Sequence, residues 1–187
     1  MGTSFVIILV VLVVVVVGII SIYNNVVKLK NNRENAFADI DVQLKQRHDL
    51  IPNLVETVKG YMNHESKTLI AVTEARSGAM NAKTLDEKIV AEGKLGSALQ
   101  GLKVNIEAYP DLKADKGFLD LQNEISDIEN KIAASRRFFN SATKEYNTSI
   151  QVFPANIIAG MFNFQKEIFF DLGTERETIS AAPKVQF

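Results

Sequence analysis

The chain has 187 residues, 21 Lys and Arg against 22 Asp and Glu, a net charge of −1, and neither cysteine nor tryptophan. Near-neutral charge with the two signs interspersed argues against nucleic-acid binding, which needs a basic face. The absence of cysteine excludes a disulfide framework and a lipid-modified cysteine, and is compatible with a reducing compartment.

The first predicted element is residues 5–22, an apolar run rich in Val, Ile and Leu without one charged residue. At about 1.5 Å per residue such a helix spans roughly 27 Å, close to the hydrocarbon thickness of a bilayer. A buried soluble helix rarely stays apolar on every face. Residues 1–23 therefore read as a transmembrane anchor in the lipid bilayer, with Phe5, Ile8, Leu12, Val16 and Ile20 along it. A cleaved secretory signal is the rival reading. Against it, residues 1–4 carry no Lys or Arg, and no small-x-small cleavage site follows Gly18. Lys28, Lys30 and Arg33 lie just after the span, so the positive-inside rule places the N-terminus outside and the rest of the chain in the cytoplasm.

About 160 residues remain, enough for one domain with a core. Phe37, Ile40, Leu44, Arg47, Ile51, Leu54, Val58 and Tyr61 recur at steps of three and four, one face of a long helix continuing from the anchor. Pro52 falls within that phase and predicts a kink or local break between Asp49 and Asn53. A second helix is predicted over residues 65–80, with Leu69, Val72, Arg76 and Ala79 inward and Asn63 as a cap. Thr84 and Glu87 fit a capping box for a third, whose inner stripe reads Leu85, Ile89, Gly93, Gly96, Leu99, Leu102 and Ile106. It should stop near Tyr109, because Pro110 disfavours helical geometry before it. The fourth helix keeps three-four spacing from Phe118 through Leu121, Ile125, Ile128, Ile132, Ser135, Phe139, Ala142, Tyr146 and Ser149 to Phe153, a coiled-coil seam of roughly 54 Å that Pro154 ends.

These residues carry a family resemblance. Asn35-Ala36-Phe37-Ala38-Asp39-Ile40 and Arg47-His48-Asp49-Leu50-Ile51-Pro52-Asn53-Leu54-Val55, within the run 35–61, closely resemble the signature of bacterial LemA proteins. So do Ala108-Tyr109-Pro110-Asp111-Leu112-Lys113, Arg136-Arg137-Phe138-Phe139-Asn140, Tyr146-Asn147, Phe153-Pro154 and Ala182-Pro183-Lys184-Val185. Phe37 stands where members often have Trp, and Gln46 where a second Arg is common. The resemblance implies a single-pass protein of the bacterial inner membrane with a cytoplasmic helical bundle and no established enzymatic activity. It also suggests a quality-control partner, an HtpX-type membrane zinc protease.

Catalytic constellations are weak throughout. His64-Glu65 opens like a zinc-protease helix, but the position needing the second His is Thr68. His48, Asp49 and Glu56 offer too few good ligands for a metal. Asp39 and Asp41 point to different helix faces; Ser135 and Ser149 lack a paired base; Gly93, Gly96 and Gly101 lack phosphate-loop spacing. No cofactor is expected. Asn147-Thr148-Ser149 matches a glycosylation sequon but falls inside a predicted helix.

Arg47 and Arg76 occupy inward phases, and a buried guanidinium must be paired. Either they make register-setting ion pairs or a partner notch, with Glu124, Glu129 and Glu145 as candidate acids, or they snorkel to the bundle edge. Phe162, Phe164, Phe169 and Phe170, with Ile157, Ile158 and Met161, concentrate apolar area after the fourth helix. They form a short cap over the core, or a self-association or membrane-surface patch. The tail ends Val185, Gln186, Phe187, open to capture by a groove or to fraying.

The expected fold is all-α, an N-terminal transmembrane helix (1–23) continuing into an antiparallel four-helix bundle with coiled-coil packing (24–170), then an extended or disordered tail (171–187). The expected role is a non-enzymatic membrane-anchored scaffold or adaptor that forms a homo-oligomer. The alternative is an accessory subunit or substrate adaptor of the HtpX-type protease.

Overall fold

The computed structural model describes residues 2–62 and 66–170. Asn63, His64 and Glu65, and Val185 and Phe187 in the tail, lie outside the described residues. Among the described residues six helices follow in order: α1 Gly2–Lys59, α2 Ser66–Asn81, α3 Leu85–Ile106, α4 Pro110–Ala114, α5 Lys116–Ser149 and α6 Ala155–Met161. Among the described residues there is no strand, and the all-α class stands. The described chain divides into two compact units, one holding the residues up to Ile40 with Ala134–Phe169, the other Asp41–Ala133 with Phe170.

In the second unit, the distal part of α1 turns Ile51, Leu54 and Val58 into a core shared with Leu69 and Val72 of α2, Leu95, Leu99 and Leu102 of α3, Leu112 of α4, and Phe118 and Ile125 of α5. Cross-helix contacts fix the directions. Asp41 meets Lys88 and Arg47 meets Glu92, so α1 and α3 run parallel. Thr68 near the start of α2 meets Asn105 near the end of α3, so these two run antiparallel. Tyr61 near the end of α1 meets Asp115 just before α5. The result is an up-down-up-down four-helix arrangement, the topology short connections favour.

Local chemistry explains the ends. Thr84 accepts from the Glu87 amide at 3.2 Å while the Glu87 carboxylate accepts from the Thr84 amide at 3.1 Å, the reciprocal capping box read from sequence. α3 stops at Ile106, and the Tyr109–Pro110 region starts the separate short helix α4 that the periodicity missed. Its first position is Pro110, where a missing N–H costs nothing.

The inner stripes differ from the sequence reading at three places. On α3 the buried positions are Glu92, Leu95, Leu99, Leu102 and Ile106, and Gly93 and Gly96 fall beside them. A charged residue occupies the stripe where apolarity alone selected glycine. At the end of α1, Met62 is buried and Tyr61 is exposed. On α5 the helix ends at Ser149, so the seam finishes on buried Ile150, and Phe153, turned off the stripe, is 79% exposed.

In the first unit α1 and α5 are antiparallel: Phe37 meets Phe139 at 5.7 Å between ring centroids, and Val26 packs with Tyr146 and Ile150. α6 adds Ala159 to that core. It closes with a Schellman motif: Asn163 takes the left-handed conformation (φ 56°), its amide donates to Gly160 O, and the Phe164 amide donates to Ala159 O at 2.9 Å. Asparagine tolerates that backbone better than most side chains.

Candidate functional site

Four polar residues from three helices meet inside the second unit. Arg47 and His48 are neighbours on α1, and both are buried, as is Glu92 on α3. Arg47 Nη2 donates to Glu92 Oε2, and His48 Nε2 donates to Glu92 Oε1 at 2.8 Å. Burial opposes ionisation of Glu92, but the His48 hydrogen bond and the charges of Arg47 and His48 outweigh it and hold the carboxyl below the ordinary glutamate range. Arg47 Nε, also buried, has no partner among the described residues. Arg76, half-buried on α2, donates from Nε to the His48 carbonyl at 2.6 Å. That carbonyl would receive the amide of residue 52 in an unbroken helix, and residue 52 is proline. Arg76 thus supplies the donor Pro52 lacks, and α1 runs on to Lys59.

The cluster pulls α1, α2 and α3 together and leaves no oxygen of Glu92 free. The partner of Arg47 is Glu92; the proposed acids Glu124, Glu129 and Glu145 are exposed on α5. The pairing spans 45 positions in sequence, so helical phase on one helix could not reveal it. A signal was present: Glu92 continues the stripe Leu95, Leu99, Leu102, Ile106 at three-four spacing.

A second cluster, missed from sequence, organises the first unit. Arg33, read as a flanking charge, is buried. Its guanidinium lies 4.8 Å from the Phe139 ring centroid, donates to Thr143 Oγ1 at 3.1 Å and to the Ile168 carbonyl at 3.2 Å, and pairs with Glu167 at 3.3 Å. Asn147 Nδ2 donates to the Glu167 carbonyl and Asn147 Oδ1 accepts from the Glu167 amide, both at 2.8 Å. Tyr146 donates to the Gln165 carbonyl at 3.0 Å. Burial, with the nearby Glu167 charge, raises the Tyr146 phenol above its ordinary value, which keeps it a donor. The segment after α6 is thereby strapped to α5 by side chains that satisfy its backbone groups.

Phe164 is half-buried and Phe170 is buried, which removes Phe170 from any exposed self-association surface; Phe162 and Phe169 are 51% and 46% exposed. Phe5, Ile8, Leu12, Val16 and Ile20 are all exposed along the N-terminal part of α1. A groove of about 560 Å³ within the second unit is lined by Gly96, Gln100 and Lys103 of α3 and Gln122, Ser126 and Glu129 of α5. Among the described residues no three His, Cys, Asp or Glu side chains gather to hold a metal ion.

Together these features describe a helical-bundle protein on an N-terminal helix long and apolar enough to cross a membrane, its buried charges spent on joining helices. The model of the LemA family matches residues 36–187, and the chain belongs to that family. It is 30% identical over 137 residues to Protein LemA of Metamycoplasma hominis, covering 73% of this chain and 63% of the relative. The chain therefore spans less than two thirds of that protein's length. It is 22% identical over 189 residues to magnetosome protein MamQ 2 of Paramagnetospirillum magneticum and 21% to magnetosome protein MamQ of Magnetospirillum gryphiswaldense, with 87% of this chain and 70% of each relative covered.

Proposed function

We propose that the chain is a non-enzymatic, membrane-anchored scaffold or adaptor of the bacterial cytoplasmic membrane, with residues 5–22 crossing the bilayer and the helical region displayed to the cytoplasm. The observation that carries this reading is the continuity of α1, in which one helix holds both the apolar span and the Ile51, Leu54 and Val58 ridge of a helical core. A ligand held by that core is held at the membrane. Lys28 and Lys30 follow the span and support the cytoplasmic side; Arg33 is drawn into the protein and contributes less to orientation. The buried carboxylate is saturated by Arg47 and His48, which suits a bracing role better than proton transfer.

Two measurements on the full chain test this. Alkaline carbonate washing of membranes should leave the protein in the pellet, and its release would contradict the anchor. Replacing the ionic cluster with apolar residues of similar volume (Arg47→Met, His48→Leu, Glu92→Leu) should leave helicity and any partner captured by the wild-type chain intact. A folded triple variant that loses the partner would make the cluster a working site and contradict the bracing role.

A further inference from the structure

Between Glu145 and Lys166 the chain has no charged side chain. That stretch contains the end of α5, the following turn, α6 and the beginning of the strapped segment. Helix α6 turns Ala155, Ile158 and Ala159 inward and leaves Ile157 and Met161 outward. With Val152, Phe153 and Phe162 these form an exposed apolar set: Val152 50%, Phe162 51%, Ile157 55%, Met161 71% and Phe153 79% accessible. Single apolar side chains on a surface need no explanation, whereas five exposed ones within one uncharged stretch of chain do.

The position of the group supplies one. The Phe162 ring meets Tyr23 at 4.7 Å between centroids and the Phe164 ring meets it at 5.8 Å. Tyr23 is the residue immediately after the apolar run ends at Ile22, where an amphipathic ring belongs in the headgroup region. Ala159 belongs to the same buried core as Val26, which lies only about 4.5 Å farther along α1 at helical rise. These contacts set α6 and Phe162 beside the part of α1 that directly follows the apolar run.

We infer that Val152, Phe153, Ile157, Met161 and Phe162 form an interfacial platform, inserted at the headgroup–acyl boundary of the same bilayer that residues 5–22 cross. The inference rests on that span being in a membrane. A seven-residue helix has too little apolar area to bind a membrane from solution. Here α1 already holds it at the surface, so insertion is intramolecular and needs only modest affinity. The platform has no Lys or Arg, so its affinity comes from apolar burial and needs no anionic lipid.

The chain lacks tryptophan, so single reporters can be placed in the full-length protein in phosphatidylcholine bilayers. Phe153→Trp and Met161→Trp report the platform, Val14→Trp the span, and Phe138→Trp an exposed position on α5 beside Phe139, whose partner Phe37 lies roughly 20 Å along α1 from Tyr23. With phosphatidylcholine brominated at defined acyl positions, fluorescence of the Val14→Trp reporter should be quenched most by deep bromines. The two platform reporters should be quenched several-fold more than the Phe138→Trp reporter, and most by bromines nearest the headgroup. Platform reporters as unquenched as Phe138→Trp, alongside a quenched Val14→Trp, would overturn the platform and leave the span standing. Blue-shifted but unquenched platform emission would mean that a second copy covers the patch, which also overturns it. An unquenched Val14→Trp would remove the span and the platform together.

Discussion

Arg76 Nε lies 2.6 Å from the carbonyl oxygen of His48, the oxygen that Pro52 leaves without its helical donor. A proline that would ordinarily weaken α1 thus becomes the docking point of α2. Arg76→Ala should cost about 1–3 kcal/mol, the penalty for leaving a desolvated carbonyl unpaired. In the Pro52→Ala background, where an amide is restored to the helix, the same substitution should cost markedly less. Chemical denaturation of the four species of this cycle checks the coupling; additive effects would show that Arg76 acts elsewhere.

Glu92→Leu alone leaves Arg47 buried without its acid and should destabilise by about 3–5 kcal/mol. Adding Arg47→Met and His48→Leu should recover most of the loss. Melting curves compare the single and triple variants, and a triple variant as weak as the single one would show that the loss does not come from a buried guanidinium left without its acid.

The same cluster sets an acid limit. The Glu92 carboxyl titrates below its unfolded value, so its stabilisation is fully present above the unfolded glutamate range and fades as pH falls through the folded value. Stability should therefore drop from about pH 4.5 downward, and Glu92→Gln should flatten that part of the profile while lowering the plateau at neutral pH. Parallel profiles for the two proteins would place the acid sensitivity on other groups.

Much of this architecture was legible. The apolar run, the capping box at Thr84 and Glu87, and the α5 stripe through Phe118, Ile125, Ile128, Ile132, Phe139 and Tyr146 follow from composition and period, which act locally. Arg47 was visible as a charge in an apolar phase. Its acid was not, because a buried pair is set by which helices meet, and Glu92 had to displace the glycines beside it from the inferred stripe. Arg33 was hidden for the opposite reason: basic residues after a span have a sufficient electrostatic role, and nothing in the local pattern announces Glu167, 134 positions away, as its partner. The strap held by Asn147 and Tyr146 has no period at all.

Asn147→Ala removes both hydrogen bonds to the Glu167 backbone. It should speed amide exchange at Glu167 by at least tenfold, corresponding to about 1.4 kcal/mol or more of local opening energy. Unchanged exchange would mean that Arg33 and Tyr146 suffice to hold the strap.

On the α5 seam, Ile128→Ala and Ile132→Ala should each cost about 2–5 kcal/mol, since both side chains are buried. Asp127→Ala, which loses only an exposed pair with Lys131, should change stability by less than about 0.5 kcal/mol. Denaturant midpoints in detergent solution distinguish the faces, and equal losses would contradict the observed phase.

A scaffold of the proposed kind requires that one helix cross the membrane and present the helical region to the cytoplasm. Because the chain has no cysteine, Thr3→Cys and Gln100→Cys place single thiols on exposed positions at either end of that arrangement. Labelling with a membrane-impermeant maleimide is the direct measurement. The thiol at position 3 should react in intact spheroplasts, while the thiol at position 100 should react only after lysis. Labelling of position 100 in intact spheroplasts would contradict the proposed topology.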